Sequence, residues 1–178
     1  MIPKDTKLRK GILLALLFGL LCVAACSEKT TAPNLPREEA YKNGFIFRKS
    51  ADNTFEVVRG PNDSLVVIPE EYLGTPITSI ANGAFYYNHN MTSVSIPSSV
   101  TSIGWHAFAD CSSLEKIIIP RNVTYVGTSA FFKCYSLTIY AQAESQPGSW
   151  DSAWNLLDNE HEPVTYVLVE WSYQPPTP

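Results

Sequence analysis

Charge and catalytic chemistry are what this sequence is short of. Only 17% of its 178 residues are charged, and acidic side chains outnumber basic ones by 17 to 13. A nucleic-acid surface needs clustered positive charge, so that class of partner is excluded. Cysteine is scarce, with four in the whole chain. There is no CxxC and no histidine pair at ligand spacing, so nothing supports a zinc site. No GxSxG, no glycine-rich phosphate loop, no HExxH, no EF-hand loop and no paired catalytic carboxylates occur. The densest ionisable cluster, Asp158, Glu160, His161 and Glu162, reads as a solvated loop, because it matches no divalent-cation spacing. The chain therefore reads as a non-enzyme with no catalytic residues, no metal ligands and no cofactor.

Long apolar runs are missing too, with one exception. Ile12 to Leu21 follows the basic residues Lys4, Lys7, Arg9 and Lys10 and leads into Val23-Ala24-Ala25-Cys26. The run is too short for a spanning helix, which needs about 20 residues, and it has the layout of an export signal. Val-Ala-Ala-Cys resembles the bacterial lipobox. That resemblance implies cleavage before Cys26, lipid on Cys26, and anchorage to a membrane of the cell envelope, at the outer membrane or cell surface. The alternative is an ordinary signal peptide cut nearby. Removing residues 1–25 leaves 9 Lys+Arg against 16 Asp+Glu, a formal net charge of −7.

What the sequence does have is a 23-residue period. Its first full copy is Met91, Val94-x-Ile96-Pro97, Val100-Thr-x-Ile103-Gly104, Ala107-Phe108 and Cys111. The second repeats every landmark at the same spacing: Leu114, Ile117-x-Ile119-Pro120, Val123-Thr-x-Val126-Gly127, Ala130-Phe131 and Cys134. One copy earlier, Ile77, Ile80, Ala84-Phe85 and Asn88 keep the register. A period of this length marks a solenoid whose units must stack to bury their apolar faces. Val-x-Ile alternates as a short strand, and Pro97 and Pro120 stop it. Gly104 and Gly127 are expected at turns that need permissive dihedrals. The Ala-Phe segments are expected as one turn of α or 3₁₀ helix, with Phe85, Phe108 and Phe131 stacked as an internal spine.

These residues resemble the BspA-type leucine-rich repeats of bacterial surface proteins, over roughly residues 65–142. The resemblance implies a leucine-rich-repeat solenoid that binds a protein ligand, in adhesion to host matrix or to neighbouring cells. A glycan-binding accessory lipoprotein of a nutrient-capture system and a structural envelope component are the rival readings.

The expected organisation is a signal peptide (1–25), a flexible tether (26–40) and an N-terminal hairpin cap (41–67). The repeats (68–142), an irregular C-terminal cap (143–172) and a disordered tail (173–178) follow. In the C-terminal cap, Trp150 to Leu157 reads as helical and Val164 to Trp171 as a last strand. Cys111 and Cys134 share one column with Asn88, which reads either as a disulfide or as small buried side chains serving loop backbone. Recognition falls to variable columns. On the strand face these are Thr92, Ser93, Ser95, Glu115, Lys116 and Ile118. Beside the Ala-Phe segment they are Tyr86, Tyr87, Trp105, His106 and Phe132, which read either as side chains folded back into the core or over the adjacent unit, or as a binding hot spot or sugar platform. His89 and His106 are expected to be exposed.

Overall fold

The computed structural model describes residues 39–158 and 165–176. The signal segment with Cys26, the tether up to residue 38 and the acidic residues Glu160, His161 and Glu162 lie outside the described residues. Fourteen strands are described in chain order: β1 (Glu39–Lys42), β2 (Phe45–Lys49), β3 (Phe55–Arg59), β4 (Leu65–Val67), β5 (Glu71–Tyr72), β6 (Thr75–Ile80) and β7 (Ser93–Ser95). They continue as β8 (Ser102–Ile103), β9 (Lys116–Ile119), β10 (Tyr125–Val126), β11 (Thr138–Ala141), β12 (Leu156–Asp158), β13 (Thr165–Tyr166) and β14 (Leu168–Glu170).

The sequence period becomes a stack of coils with two sheet faces and one turn corner. One face is the five-stranded parallel sheet β14-β11-β9-β7-β4. The other runs β3-β6-β8-β10 in parallel, with β2 and β1 added antiparallel on its first edge. β2 and β3 are joined around residues 50–53, where the Asn53 amide donates to the Ser50 carbonyl at 3.1 Å. Alternation decides which side chains enter the core. Val66, Val94, Ile117 and Ile139 point in from one sheet, and Val57, Ile80, Ile103 and Val126 from the other.

The phenylalanine spine is present. Phe85 and Phe108 stack with centroids 5.0 Å apart, and Phe108 and Phe131 with centroids 5.6 Å apart, their planes within 7°. Trp154 meets Phe131 edge-on at 5.9 Å. The step from Phe131 to Trp154 equals the step from Phe108 to Phe131, and Ala153 follows Ala130 in the same way. The period therefore runs into a fourth coil, where Asp151 and Ser129 bond across to Val126 and Ala153.

The turn corner is not helical, and among the described residues there is no helix. Its amides alternate between two partners. Ala84, Tyr86 and Asn88 donate three residues back, while Gly83, Phe85 and Tyr87 donate to the carbonyls of Trp105, Ala107 and Ala109 in the next coil. A helix would send every amide four residues back, which leaves none for the neighbour. Two columns of left-handed backbone fix the same outcome: Gly83, His106 and Ser129 at φ +64°, +52° and +52°, and Tyr87, Asp110 and Lys133 at φ +64°, +59° and +60°. Left-handed residues occur singly and end a helical run. The expected helix over residues 150–157 is likewise a pair of turns leading into β12, because Lys133 recruits the Leu157 carbonyl. The expected last strand is split. Within the described residues β13 pairs with β12, Val167 is buried, and β14 joins β11.

The repeat glycines have a different reason from the one expected. Neither Gly104 nor Gly127 is left-handed. A Cβ on Gly104 would lie 2.6 Å from the Asn82 backbone nitrogen, and one on Gly127 would lie 2.6 Å from that of Trp105. They are glycine because consecutive coils touch there, backbone to backbone.

Polar columns close the remaining coil-to-coil bonds. The Thr78 hydroxyl donates to Thr54 Oγ1, and those of Thr101 and Thr124 donate to the carbonyls of Thr78 and Thr101. Ser149 continues the row onto the Thr124 carbonyl. In the Asn/Cys column, Asn88 Nδ2 donates to the Pro61 carbonyl at 2.8 Å. Cys111 Sγ and Cys134 Sγ reach the Phe85 and Phe108 carbonyls at 3.2 and 3.0 Å. Both thiols are free and buried. The neighbouring Cys111 thiol and burial push the Cys134 thiol far above its ordinary value.

Candidate functional site

Two outer surfaces carry the binding residues named from the sequence. The first is the solvent face of the five-stranded sheet. In register across its strands run Leu65, Ser93, Lys116, Thr138 and Leu168, and beside them Val67, Ser95, Ile118, Tyr140 and Glu170. Adjacent strands lie about 4.8 Å apart, so each row is a continuous stripe. Leu65, Val67 and Leu168 are each 60% exposed or more, an unusual load of aliphatics for an open face.

A groove of about 330 Å³ runs over β7 and β9. Ser93, Ser95, Ser98, Lys116, Ile118 and Gln142 line it, and Pro175 forms part of its wall. Lys116 is its one charge. The ammonium sits 4.5 Å from the Tyr140 ring centroid and 5.1 Å from that of Tyr173, and it donates to the Tyr173 hydroxyl at 3.3 Å. The two tyrosine rings lie 4.8 Å apart. Among the described residues, cation–π contacts and a neutral acceptor hold Lys116 without an acidic partner.

Of the six strand-face residues named from the sequence, Ser93, Ser95, Lys116 and Ile118 come together in this groove. Thr92 and Glu115 do not line it. They sit at the strand entries, where the Thr92 hydroxyl donates to the Ser64 carbonyl and the Glu115 amide donates to the Thr92 carbonyl. The sequence reading missed Leu65, Val67, Tyr140, Gln142, Leu168 and Tyr173 on the same face. Strict alternation in β4 and β11 was the available signal. Tyr173, placed by the sequence at the start of a loose end, packs half-buried on Tyr140.

The second surface is an aromatic ridge along the turn corner. Trp105 stacks on His106 at 3.9 Å, and His106 lies parallel to Tyr86 at 6.4 Å and to Phe132 at 6.1 Å. The geometry has a local cause. The column holds Tyr86, Ala109 and Phe132, and the His106 ring, on a left-handed backbone, lies parallel to both aromatic members of it. Burial lowers the His106 pKa from its ordinary value, so the ring is neutral at pH 7. His106 is thus half-buried, whereas His89 is exposed with its Nε2 3.6 Å from Asp110. Tyr86, Tyr87 and Trp105 are all more than half exposed; they do not fold back into the core.

Among the described residues no group of three or more His, Cys, Asp or Glu side chains could hold a metal ion. No helix among them is long and apolar enough to cross a membrane. Asp158, the described member of the acidic cluster, accepts from the Tyr135 hydroxyl at 3.5 Å.

Residues 73–146 match the profile of the BspA-type leucine-rich repeat region, in six copies. No curated protein sequence matches the chain. Among solved structures, a leucine-rich-repeat protein of T. pallidum is 32% identical with a TM-score of 0.55, over 64% of this chain. A leucine-rich-repeat protein of Bacteroides capillosus is 27% identical with a TM-score of 0.59, over 75% of this chain and 99% of its own. A leucine-rich cell surface protein of Faecalibacterium prausnitzii is 29% identical with a TM-score of 0.52, over 61% of this chain. The match spans about half of the T. pallidum chain (52%) and 34% of the Faecalibacterium chain.

Proposed function

We propose, for a chain whose residues 73–146 carry a BspA-type leucine-rich repeat region, a lipid-anchored envelope protein that binds a protein partner through the outer face of its five-stranded sheet. A repeat region of this kind is in general a protein-binding surface module, and one structural relative is described as a cell surface protein. The observation that carries the site is the groove over β7 and β9. There Ser93, Ser95 and Ile118 surround Lys116, with exposed Leu65, Val67 and Leu168 alongside. The core columns are committed to stacking, which leaves recognition to variable outward positions. The mixture of aliphatic area, hydroxyls and one unneutralised ammonium suits an extended protein segment, whose backbone carbonyls and apolar side chains it can meet. The face is short, so a single site is weak, and many anchored copies reach useful avidity.

Anchorage rests on Val23-Ala-Ala-Cys26 and on lipid at Cys26, and adhesion to host matrix or neighbouring cells is the role that follows. Changing Cys26 to Ala should release the protein from the membrane fraction or leave the signal uncleaved. Normal processing with continued membrane association would exclude a lipid anchor at this residue.

A second reading has its own observation, the exposed ridge of Tyr86, Tyr87 and Trp105, whose rings could stack on sugar faces. Binding to immobilised matrix proteins and to glycan arrays separates the two. Protein binding lost in the Lys116→Ala, Ile118→Ala double variant and kept in Trp105→Ala supports the sheet face. Glycan binding lost in Trp105→Ala and kept in the double variant replaces it with the ridge.

A further inference from the structure

The segment 172–176 turns back over the same sheet face. A left-handed residue, Ser172 at φ +58°, follows Trp171. The Ser172 and Tyr173 amides then bond to the carbonyls of Ala143 and Ala141. This directs the Tyr173 ring onto Tyr140 and its hydroxyl to Lys116 Nζ, and it places Pro175 on the wall of the groove. The chain thus sets Tyr173 on the row where the proposed function puts recognition, and the exposed Gln174-Pro-Pro176 follows it beside the groove.

We infer that the groove is a site for an aromatic-x-Pro-Pro peptide, and that this chain's own Tyr173-Gln-Pro-Pro176, seated at the rim of the groove through Tyr173 on Lys116 and Tyr140, competes in cis with a partner's. The inference rests on the sheet face being the recognition surface. Three features give the specificity. Lys116 between Tyr140 and an incoming ring makes a clamp for one aromatic residue, through a cation–π contact and a hydroxyl bond. Ile118 and Pro120 give an apolar floor for proline. Ser93, Ser95 and Gln142 offer donors to carbonyls that a proline-containing strand leaves free. A segment rich in proline is pre-extended and loses little entropy on docking. A short intramolecular link gives the resident segment an effective concentration on the order of 1 mM. A free peptide of about 50 μM affinity would then bind the intact chain roughly twenty-fold more weakly than the unmasked one.

The test uses a labelled peptide, Trp-Ser-Tyr-Gln-Pro-Pro-Thr-Pro, titrated by fluorescence anisotropy into three proteins. They are the full chain, a chain ending at Trp171, and the full chain carrying Tyr173→Ala with Pro175→Ala. The third protects the result if the shortened chain fails to fold; β14 itself ends at Glu170. Both unmasked proteins should bind at least ten-fold more tightly than the full chain. That binding should disappear when Lys116→Ala and Ile118→Ala are added. Equal binding by the full and unmasked chains would overturn self-occupancy. No binding by either unmasked chain would overturn the peptide class, while a protein partner still lost in the Lys116/Ile118 variant would leave the recognition surface standing. Peptide binding that survives the Lys116/Ile118 changes would place it outside the groove and overturn the inference.

Discussion

Replacing Phe108 by Ala should be the most damaging single truncation in the spine. Phe108 is fully buried and lies between Phe85 at 5.0 Å and Phe131 at 5.6 Å, all three rings nearly parallel. Truncating a packed aromatic costs about 3–5 kcal/mol. Each stacked pair accounts for about 0.5–1.5 kcal/mol of that beyond apolar burial. Phe108→Leu, which keeps most of the volume and loses both stacks, should therefore cost about 1–3 kcal/mol. Phe85→Ala should fall at the low end of the truncation range, because Phe85 has one ring neighbour in the spine and meets Gly60 on its other side. Against a domain stability of about 5–15 kcal/mol, the Phe108→Ala loss should move a urea midpoint by more than about 1 M at the usual slope of about 1–3 kcal/mol per M. Urea melts followed by far-UV circular dichroism measure it. A loss under about 1 kcal/mol for Phe108→Ala, or an order with Phe85 above Phe108, would refute the spine as the element joining the coils.

Gly127→Ala should destabilise by about 1–3 kcal/mol, since its Cβ would come within 2.6 Å of the Trp105 backbone nitrogen; a thermal melt unchanged within error would mean the coils do not touch there. His106 should make stability fall as pH drops. Its folded pKa is lowered by burial, so the unfolded chain binds more protons between the folded value and about 6.5, and stability rises with pH across that window. His106→Gln should flatten that slope in pH-dependent urea melts, and a slope unchanged in His106→Gln would place the titration elsewhere. The buried thiols of Cys111 and Cys134 should resist a thiol reagent at pH 8 in the native protein and react only on unfolding; rapid native labelling at either position would contradict a closed coil interior.

The fold was legible where the chain repeats itself. Ile96-Pro97 and Ile119-Pro120, Val100-Thr and Val123-Thr, and the Ala-Phe pairs keep one spacing, and that spacing alone orders the coils. The fourth coil was hidden although Ala153-Trp154 holds the register, because the Ile-Pro and Val-Thr landmarks between it and Phe131 are gone. The turn corner was misread as helical for a deeper reason. Local spacing says which side chains face inward, but it does not say that Phe85 and Phe108 donate their amides to the next coil instead of to their own. The glycine columns follow the same rule, their cause being the backbone of the preceding coil, which is remote in sequence. On the sheet face, alternation revealed Ser93, Ser95, Lys116 and Ile118. Leu65, Thr138 and Leu168 share a row with Ser93 and Lys116, yet the steps from Leu65 to Ser93, from Lys116 to Thr138 and from Thr138 to Leu168 all depart from the period. With those irregular offsets the stripe exists only in three dimensions.

The most direct test of the sheet face as the recognition surface is site-specific photo-crosslinking on intact cells. A photoreactive residue replaces Ser95 in one strain and Trp105 in another, both positions being exposed, and adducts are resolved by mass spectrometry. Recognition through the five-stranded sheet predicts one discrete protein adduct at position 95 that is absent at 105 and is lost when Lys116→Ala and Ile118→Ala are added. A discrete adduct at position 105 with none at 95 would contradict it.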